Sequence, residues 1–321
     1  MYDYNYSQIP QYYNDLYNNQ STKYPNTRTK KIKAEVFAFN LRTPTHMEWT
    51  KDGRLLVSEH TAGEVKDITR GGDFKNVKPF AYGLKGPSSI LPLQDGRLLV
   101  AEAWGDGVSD ITNGGDISQK TPLAKLKEPY SLSTINGRIF VTEERELSTL
   151  TLSEITFQNG SVGQTVPIVT RIPAMPLPGL EGLSPYKNMQ KILEGPKCGS
   201  WTVALPLESR LLVTCSALGQ IIQVTTNGDY IDLVGKGNLI ASGLNFSGGM
   251  INNDKDGLIY ITQPLKGTVM AIDPNNFRDY RFDPPVVQGL NMPTCVRFSP
   301  DGQSMFICSM TTGSVWKITN F

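Results

Sequence analysis

A nineteen-residue stretch, LRTPTHMEWTKDGRLLVSE at positions 41–59, returns as LKGPSSILPLQDGRLLVAE at positions 84–102, 43 residues further on. Self-similarity at a period of 20–50 residues marks a repeat architecture, in which each copy is one supersecondary unit that buries its faces against its neighbours. Weaker copies begin at Leu126 (Pro129, Asn136-Gly137), Leu193 (Pro196), Leu244 (Ser247 in the Pro place, Asp256-Gly257) and Leu290 (Pro293, Asp301-Gly302). Each of the six reads as a strand, a two-residue Asp-Gly or Asn-Gly hairpin turn, an apolar second strand, and a third strand such as Glu64 to Thr69 or Ser314 to Thr319. A fourth strand precedes the next Leu. Four short strands per copy make the blade of a β-propeller, so the expected fold is all-β, a six-bladed propeller of four-stranded blades. In such a blade the sheet is covered on both sides, which accounts for the unbroken apolar runs Leu55-Leu56-Val57 and Leu98-Leu99-Val100.

The sixth copy ends at Phe321 after its third strand, whereas the stretch from Lys33 to Leu41 matches the fourth-strand stretch from Val77 to Leu84. An N-terminal strand should therefore close the ring and remove an exposed sheet edge. The propeller is expected over residues 32–321, after a polar, disordered arm rich in Tyr, Asn and Gln over residues 1–31. The spacings between copies are 43, 42, 67, 51 and 46 residues, which leaves an insertion largely at 173–193. That segment is a candidate lid over the channel. With 31 Lys and Arg against 30 Asp and Glu, the net charge of +1 leaves no electrostatic footprint for nucleic acid or an anionic membrane. No apolar run approaches the roughly 18 residues of a membrane span, and the first residues lack the apolar core of a secretory signal, so a cytoplasmic protein is expected. The four cysteines show no metal-finger spacing.

These repeats resemble the six-bladed propellers of the NHL-repeat, gluconolactonase (senescence-marker) and strictosidine-synthase-like clan, and the run from Leu55 to Thr69 also resembles the repeats of streptogramin lyases. The resemblance implies the fold over residues 32–321 and leaves the activity open, because one propeller carries many chemistries. Gluconolactonase-like enzymes bind a metal through a Glu in a Glu-Gly-Pro motif, which Glu194-Gly195-Pro196 matches. Their further ligands follow the Pro place as Asn or Asp, where this chain has Thr45, Ser88, Tyr130, Lys197, Gly248 and Thr294. The resemblance thus implies Glu194 as a metal ligand without a full calcium site, and leaves a divalent metal open as the cofactor. The catalytic His and metal-binding Glu of the lyases have no match.

The entrance of each first strand and the exit of each second strand share a rim, so two rings of positions converge on one mouth of the channel. Two residues after the Pro place stand His46, Ser89, Ser131, Cys198, Gly249 and Cys295. The second strands end on Glu59, Glu102, Glu143, Cys215, Gln263 and Cys308. Counting outward from a two-residue turn sets His46 opposite Glu59, and Cys295 opposite Cys308. A carboxylate facing an imidazole suits acid–base catalysis, which nominates His46, Glu59 and Glu102 as catalytic; a structural hydrogen bond is the alternative. Glu102 and Glu143 could also pair with the bases Lys85 and Lys127, as Glu59 could with Arg42. His60, Trp104, Tyr130, Glu143 and Tyr186 are candidate substrate-binding residues, with ordinary blade packing as the other reading for the aromatic ones. The cysteines read as small buried hydrophobes, as a soft-metal site with His46 and Glu59, or as the cross-strand disulfides Cys295–Cys308 and Cys198–Cys215. Two functions remain: a small-molecule enzyme of lyase, hydrolase or cyclase type working at the mouth, or a propeller that presents that rim to a ligand or protein partner.

Overall fold

A computed structural model describes residues 32–146, 149–157, 163–173, 204–208, 210–226 and 239–321. The expected arm at 1–31 and the insertion at 173–193, with Tyr186, Glu194 and Cys198, lie outside these residues, apart from Pro173.

The strands form six sheets arranged as a six-bladed propeller. In blade 1 the strands Pro44–Trp49, Leu55–Glu59, Glu64–Asp67 and Ala81–Tyr82 pair in that order from the axis outward. Blade 2 repeats the scheme from Pro87–Pro92, blade 3 from Pro129–Ile135, blade 4 from Ala204–Leu207 and blade 5 from Met250–Asn253. Blade 6 comprises Pro293–Phe298, Ser304–Ser309 and Ser314–Thr319, and its outer strand is Lys33–Phe39, running antiparallel to Ser314–Thr319. The ring is closed by the N-terminal strand.

The apolar runs divide between the two faces of their blade. Leu55 and Val57 pack with Phe306 and Cys308 of blade 6, while Leu56 between them packs with Ile90, Leu98 and Val100 of blade 2. All three of blade 1 are fully buried, as a sheet covered on both sides requires. Among the described residues, the Leu that opens a repeat has a backbone role as well. The amide of Leu84 donates to the Gly63 carbonyl at 3.1 Å, and the same bond joins Leu244 to Gly219, Leu290 to Gly267 and Leu41 to Gly313. Gly63 sits at φ +67°, and a Cβ there would stand 2.3 Å from the Leu84 oxygen, so this latch between blades needs glycine.

Several sheets carry a fifth strand. Gly72–Asp73, which follows the third strand of blade 1, pairs in parallel with Ala38 and Phe39 of blade 6. Gly115–Asp116 straps blade 2 to blade 1 in the same way, and Arg278–Asp279 straps blade 5 to blade 4. The expected uniform four-stranded blades are thus sheets of three to five strands.

Turn chemistry sets the register of the innermost hairpins. Asn136-Gly137 has both residues at positive φ and joins Ile135 directly to Arg138, the two-residue turn the sequence suggests. Asp52-Gly53 does not. The Thr50 amide donates to Arg54 and the Gly53 amide to Thr50, with only Gly53 at positive φ, which is a three-residue loop with a glycine bulge. That added residue moves the partner of every position by one.

Candidate functional site

The innermost strands line the propeller axis. The half of the channel nearer the first hairpin turns holds a cavity of about 250 Å³ walled by all six blades, with His46, Glu48, Ser133, Asn252 and Arg297 among its lining. Its walls run from His46, Ser89, Ser131 and Gly249, four of the positions that the sequence places at the mouth, down to residues one or two positions from the first hairpin turns.

Two side chains in this wall lack partners. Both ring nitrogens of His46 and the hydroxyl of Ser133 are buried without a hydrogen bond, although the residues are only 3% and 4% exposed. Leaving such groups unsatisfied costs on the order of 1–3 kcal/mol each. The His46 ring meets the Tyr130 ring edge-on at 4.9 Å between centroids. Burial, reinforced by the Arg297 charge and by His60, brings the His46 imidazole down to about 3, so the ring is neutral at neutral pH. Beside it, Arg297 Nε donates to Glu48 Oε2 at 2.7 Å. Glu48 Oε1 takes the Trp49 amide at 3.0 Å, and Arg297 Nη1 donates to the Val296 carbonyl at 2.7 Å.

The neutral His46 has a measurable consequence. Between pH 6.5 and 3 the unfolded chain binds a proton on this ring that the folded chain refuses, so stability falls as pH is lowered through that window. At pH 5 the contribution is about 2 kcal/mol against the unfolded reference near 6.5. Urea unfolding of His46→Gln from pH 7 to 5 should show a loss smaller than the wild type's by about that amount; parallel curves would mean that the wild-type ring takes up a proton in the folded state.

The three glutamates share one structural arrangement. Glu59 Oε1 accepts the Arg42 amide at 2.5 Å, Glu102 Oε2 the Lys85 amide at 2.7 Å, and Glu143 Oε2 the Lys127 amide at 3.2 Å. The second oxygen of each meets a polar group of the third strand: the Lys66 ammonium at 3.1 Å, the Ser109 hydroxyl, and the Ser153 hydroxyl at 2.6 Å. These carboxylates tie the backbone that enters each blade to the strand two places out. The basic residues Arg42, Lys85 and Lys127 contribute their backbone N–H to these bonds, and the Arg42 guanidinium instead pairs with Glu64 at 3.0 Å. Burial pushes the Glu59 carboxyl up, against the pull of the Arg42 amide and Lys66.

His46 does not face Glu59. It pairs with Ser58, while Glu59 pairs with Pro44 across a bulge, because the Asp52-Gly53 loop is one residue longer than a two-residue turn. In blade 6 the loop from Ser299 to Ser304 is longer again by one, which restores the count, so Cys295 does face Cys308. The Glu59 place in blade 6 belongs to Ser309, which pairs with Pro293, and not to Cys308. Cys295 and Cys308 therefore occupy the His46 and Ser58 places, fully buried and as free thiols. Cys215, also a free thiol, is pushed up to about 12 by burial.

His60 and Trp104 come together between blades 1 and 2, with ring centroids 4.5 Å apart. The His60 Nδ1 lies 3.1 Å from the Pro87 carbonyl, and Trp104 is 44% exposed. Tyr130 lies in the interior with Phe246 and Met310, in a buried cluster. The structure thus joins His46 to Tyr130 and His60 to Trp104, and none of the hydrogen bonds found at Glu59, Glu102 or Glu143 reaches either histidine. Among the described residues no three His, Cys, Asp or Glu side chains gather as a metal site. Among them, too, no helix is long and apolar enough to cross a membrane.

The residues that sequence reading missed are Glu48, Ser133 and Arg297. Glu48 and Arg297 are opposite charges on the innermost strands of adjacent blades, where the other copies carry apolar or neutral residues. That contrast was the available signal.

Among solved structures, the chain is similar to a gluconolactonase from Xanthomonas campestris, at 14% identity and a TM-score of 0.59, with 91% of each chain covered. A streptogramin B lyase matches at 14% identity and a TM-score of 0.51, over 91% of this chain and 99% of that one. An auxiliary nutrient binding protein from Bacteroides thetaiotaomicron matches at 12% identity and a TM-score of 0.57, over 90% and 76%. This chain shares their six-bladed propeller fold. No family model matches the sequence, and no curated protein does. At these identities the likeness is one of fold, and it joins enzymes and a binding protein alike.

Proposed function

We propose that the protein binds a small molecule in the axial cavity and works as a ligand-binding propeller without catalysis. The observation that carries this reading is a cavity of about 250 Å³ on the axis, walled by all six blades, that sets the polar residues His46, Glu48, Ser133 and Arg297 among apolar ones. The enzymatic alternative needs acid–base groups free to exchange protons with a substrate. Glu59 and Glu102 instead have both oxygens engaged in holding blade entrances, and the neutral His46 lacks a carboxylate to orient it. A concave site with apolar walls and a few convergent polar groups is the ordinary form of a small-molecule pocket.

The test is capture from a small-molecule extract. Protein incubated with the extract, freed of unbound material by gel filtration and then denatured should release one compound in near-stoichiometric amount by mass spectrometry. A His46→Leu/Ser133→Leu variant, shown to be folded by circular dichroism, should release none. Equal recovery from both proteins would remove the cavity as the binding site.

A further inference from the structure

We infer that the molecule taken by the axial cavity is a small monocarboxylate with an apolar body, whose carboxylate docks on Nη2 of Arg297. The inference rests on the reading that this cavity is a binding site, and deepens it by assigning the ligand class from the wall.

Arg297 stands on the innermost strand of blade 6 and lines the cavity. Its Nε donates to Glu48 Oε2 at 2.7 Å, and its Nη1 to the Val296 carbonyl at 2.7 Å and the Met250 carbonyl at 3.4 Å. Those bonds hold the guanidinium plane in place. Nη2 has no hydrogen-bond partner among the described residues, and it is not one of the buried atoms. It therefore keeps both of its N–H donors, with open surface, at the tip of a side chain that is only 13% exposed. The ring nitrogens of His46 and the hydroxyl of Ser133, by contrast, have no open surface and offer a ligand no hydrogen bond in this arrangement.

A guanidinium only donates, so its complement is a group that only accepts. A carboxylate is such a group, and the charge-assisted bond it forms is about twice as strong as a neutral one. A primary amide would bring N–H donors of its own, and an ammonium nothing but donors and a like charge. Glu48 does not forestall an anion. Its two oxygens already accept from Arg297 and the Trp49 amide, and the guanidinium charge is spread over three nitrogens, so Nε serves Glu48 while Nη2 serves the ligand. The positive sign prevails at His46 in the same wall, where burial first and the Arg297 charge next hold the imidazole down. Leu91, Leu132, Leu205 and Ile251 supply apolar wall for the rest of the ligand. A cavity of about 250 Å³ has room for on the order of eight waters, and so for a molecule of about eight to ten non-hydrogen atoms.

The experiment is isothermal titration at pH 7 and low ionic strength with a charge series of matched size: benzoate, phenylacetate and hexanoate, their primary amides, and benzylamine, phenethylamine and hexylamine. At least one carboxylate should bind, with its amide and its amine at least tenfold weaker. Two variants then assign the binding to Nη2. Arg297→Gln combined with Glu48→Gln removes both charges together, so that no carboxylate is stranded, and should weaken the bound carboxylate at least tenfold. Glu48→Gln alone keeps an acceptor for Nε and leaves Nη2 free, and should tighten that carboxylate at least threefold; it carries the test if the double variant does not fold. An amide or amine that binds within tenfold of its carboxylate, or better, overturns the assignment and leaves the cavity standing as a site. A carboxylate held equally by the double variant, or no more tightly by Glu48→Gln, overturns it as well, and so does failure of all nine probes. The extract experiment, which makes no assumption about ligand class, decides separately whether the cavity binds at all.

Discussion

Replacing Lys66 with Met will destabilise the protein by about 3–5 kcal/mol at pH 7, because it strands a buried carboxylate. The Lys66 and Glu59 side chains are 4% and 0% exposed, and their charged atoms stand 3.1 Å apart. Lys66 also donates to the Phe74 carbonyl at 3.0 Å, which joins the third strand of blade 1 to the strap between blades 1 and 6. Removing the ammonium leaves the carboxylate with the Arg42 amide alone. The remedy identifies the cause: adding Glu59→Gln to Lys66→Met keeps an acceptor for that amide, discards the charge, and should recover more than half of the loss. The pH dependence has a definite sign. Burial raises the Glu59 carboxyl above its ordinary value near 4.5, and losing Lys66 raises it further, so the penalty exists only where the unfolded carboxyl is ionised. The deficit of the single variant should therefore shrink as pH falls toward 4.5. A loss below about 1 kcal/mol at pH 7, unchanged with pH, would mean that the pair behaves like an exposed one.

The architecture was legible because a propeller writes itself into the chain six times. The Leu that opens a copy and the Gly after the second strand recur because four of the described blade junctions are latched by the same backbone bond, as Leu84 is to Gly63, while Asp106 takes the Gly place under Leu126. The candidate site was less legible, and two physical reasons account for it. The first is turn length. Asp-Gly and Asn-Gly look alike in a sequence, but Asn136-Gly137 closes a two-residue turn whereas Asp52-Gly53 sits in a three-residue loop. One residue of register decides whether His46 faces Glu59 or Ser58. The second is that a carboxylate at a strand end serves equally well for chemistry and for capping backbone. Only the positions of the Arg42, Lys85 and Lys127 amides, which no side-chain pattern encodes, distinguish the two uses. The third-strand residue offered a clue in hindsight. Lys66, Ser109 and Ser153 are polar in the three blades that carry glutamate, and the matching places in the other three hold Ile222, Met270 and Trp316.

A chain that begins at residue 40 will lose its cooperative unfolding transition, while one that begins at residue 29 will unfold with the midpoint of the full chain. The strand Lys33–Phe39 is the outer strand of blade 6, in register with Ser314–Thr319 from Lys33 opposite Thr319 to Ala38 opposite Val315. Its Ala38 is fully buried with Val315 and Phe306, its Phe37 ring lies 4.9 Å from that of Phe306, and Ala34 packs on the cluster around Trp316. Phe39 also accepts the Phe74 amide at 3.0 Å, beside the parallel pairing with Gly72 and Asp73, so this one strand joins the last blade to the first. Its loss removes several backbone bonds worth about 1 kcal/mol each together with the packing of Phe37 and Ala38. Those terms together approach the whole stability of a typical domain, about 5–15 kcal/mol, and the exposed edge of Ser314–Thr319 becomes a template for aggregation. A synthetic peptide covering residues 32–40 should restore the transition to the shortened chain, since nothing covalent at Asn40 is needed for the pairing. If the shortened chain unfolds cooperatively at the same midpoint without the peptide, closure by this strand contributes nothing to the stability of the ring.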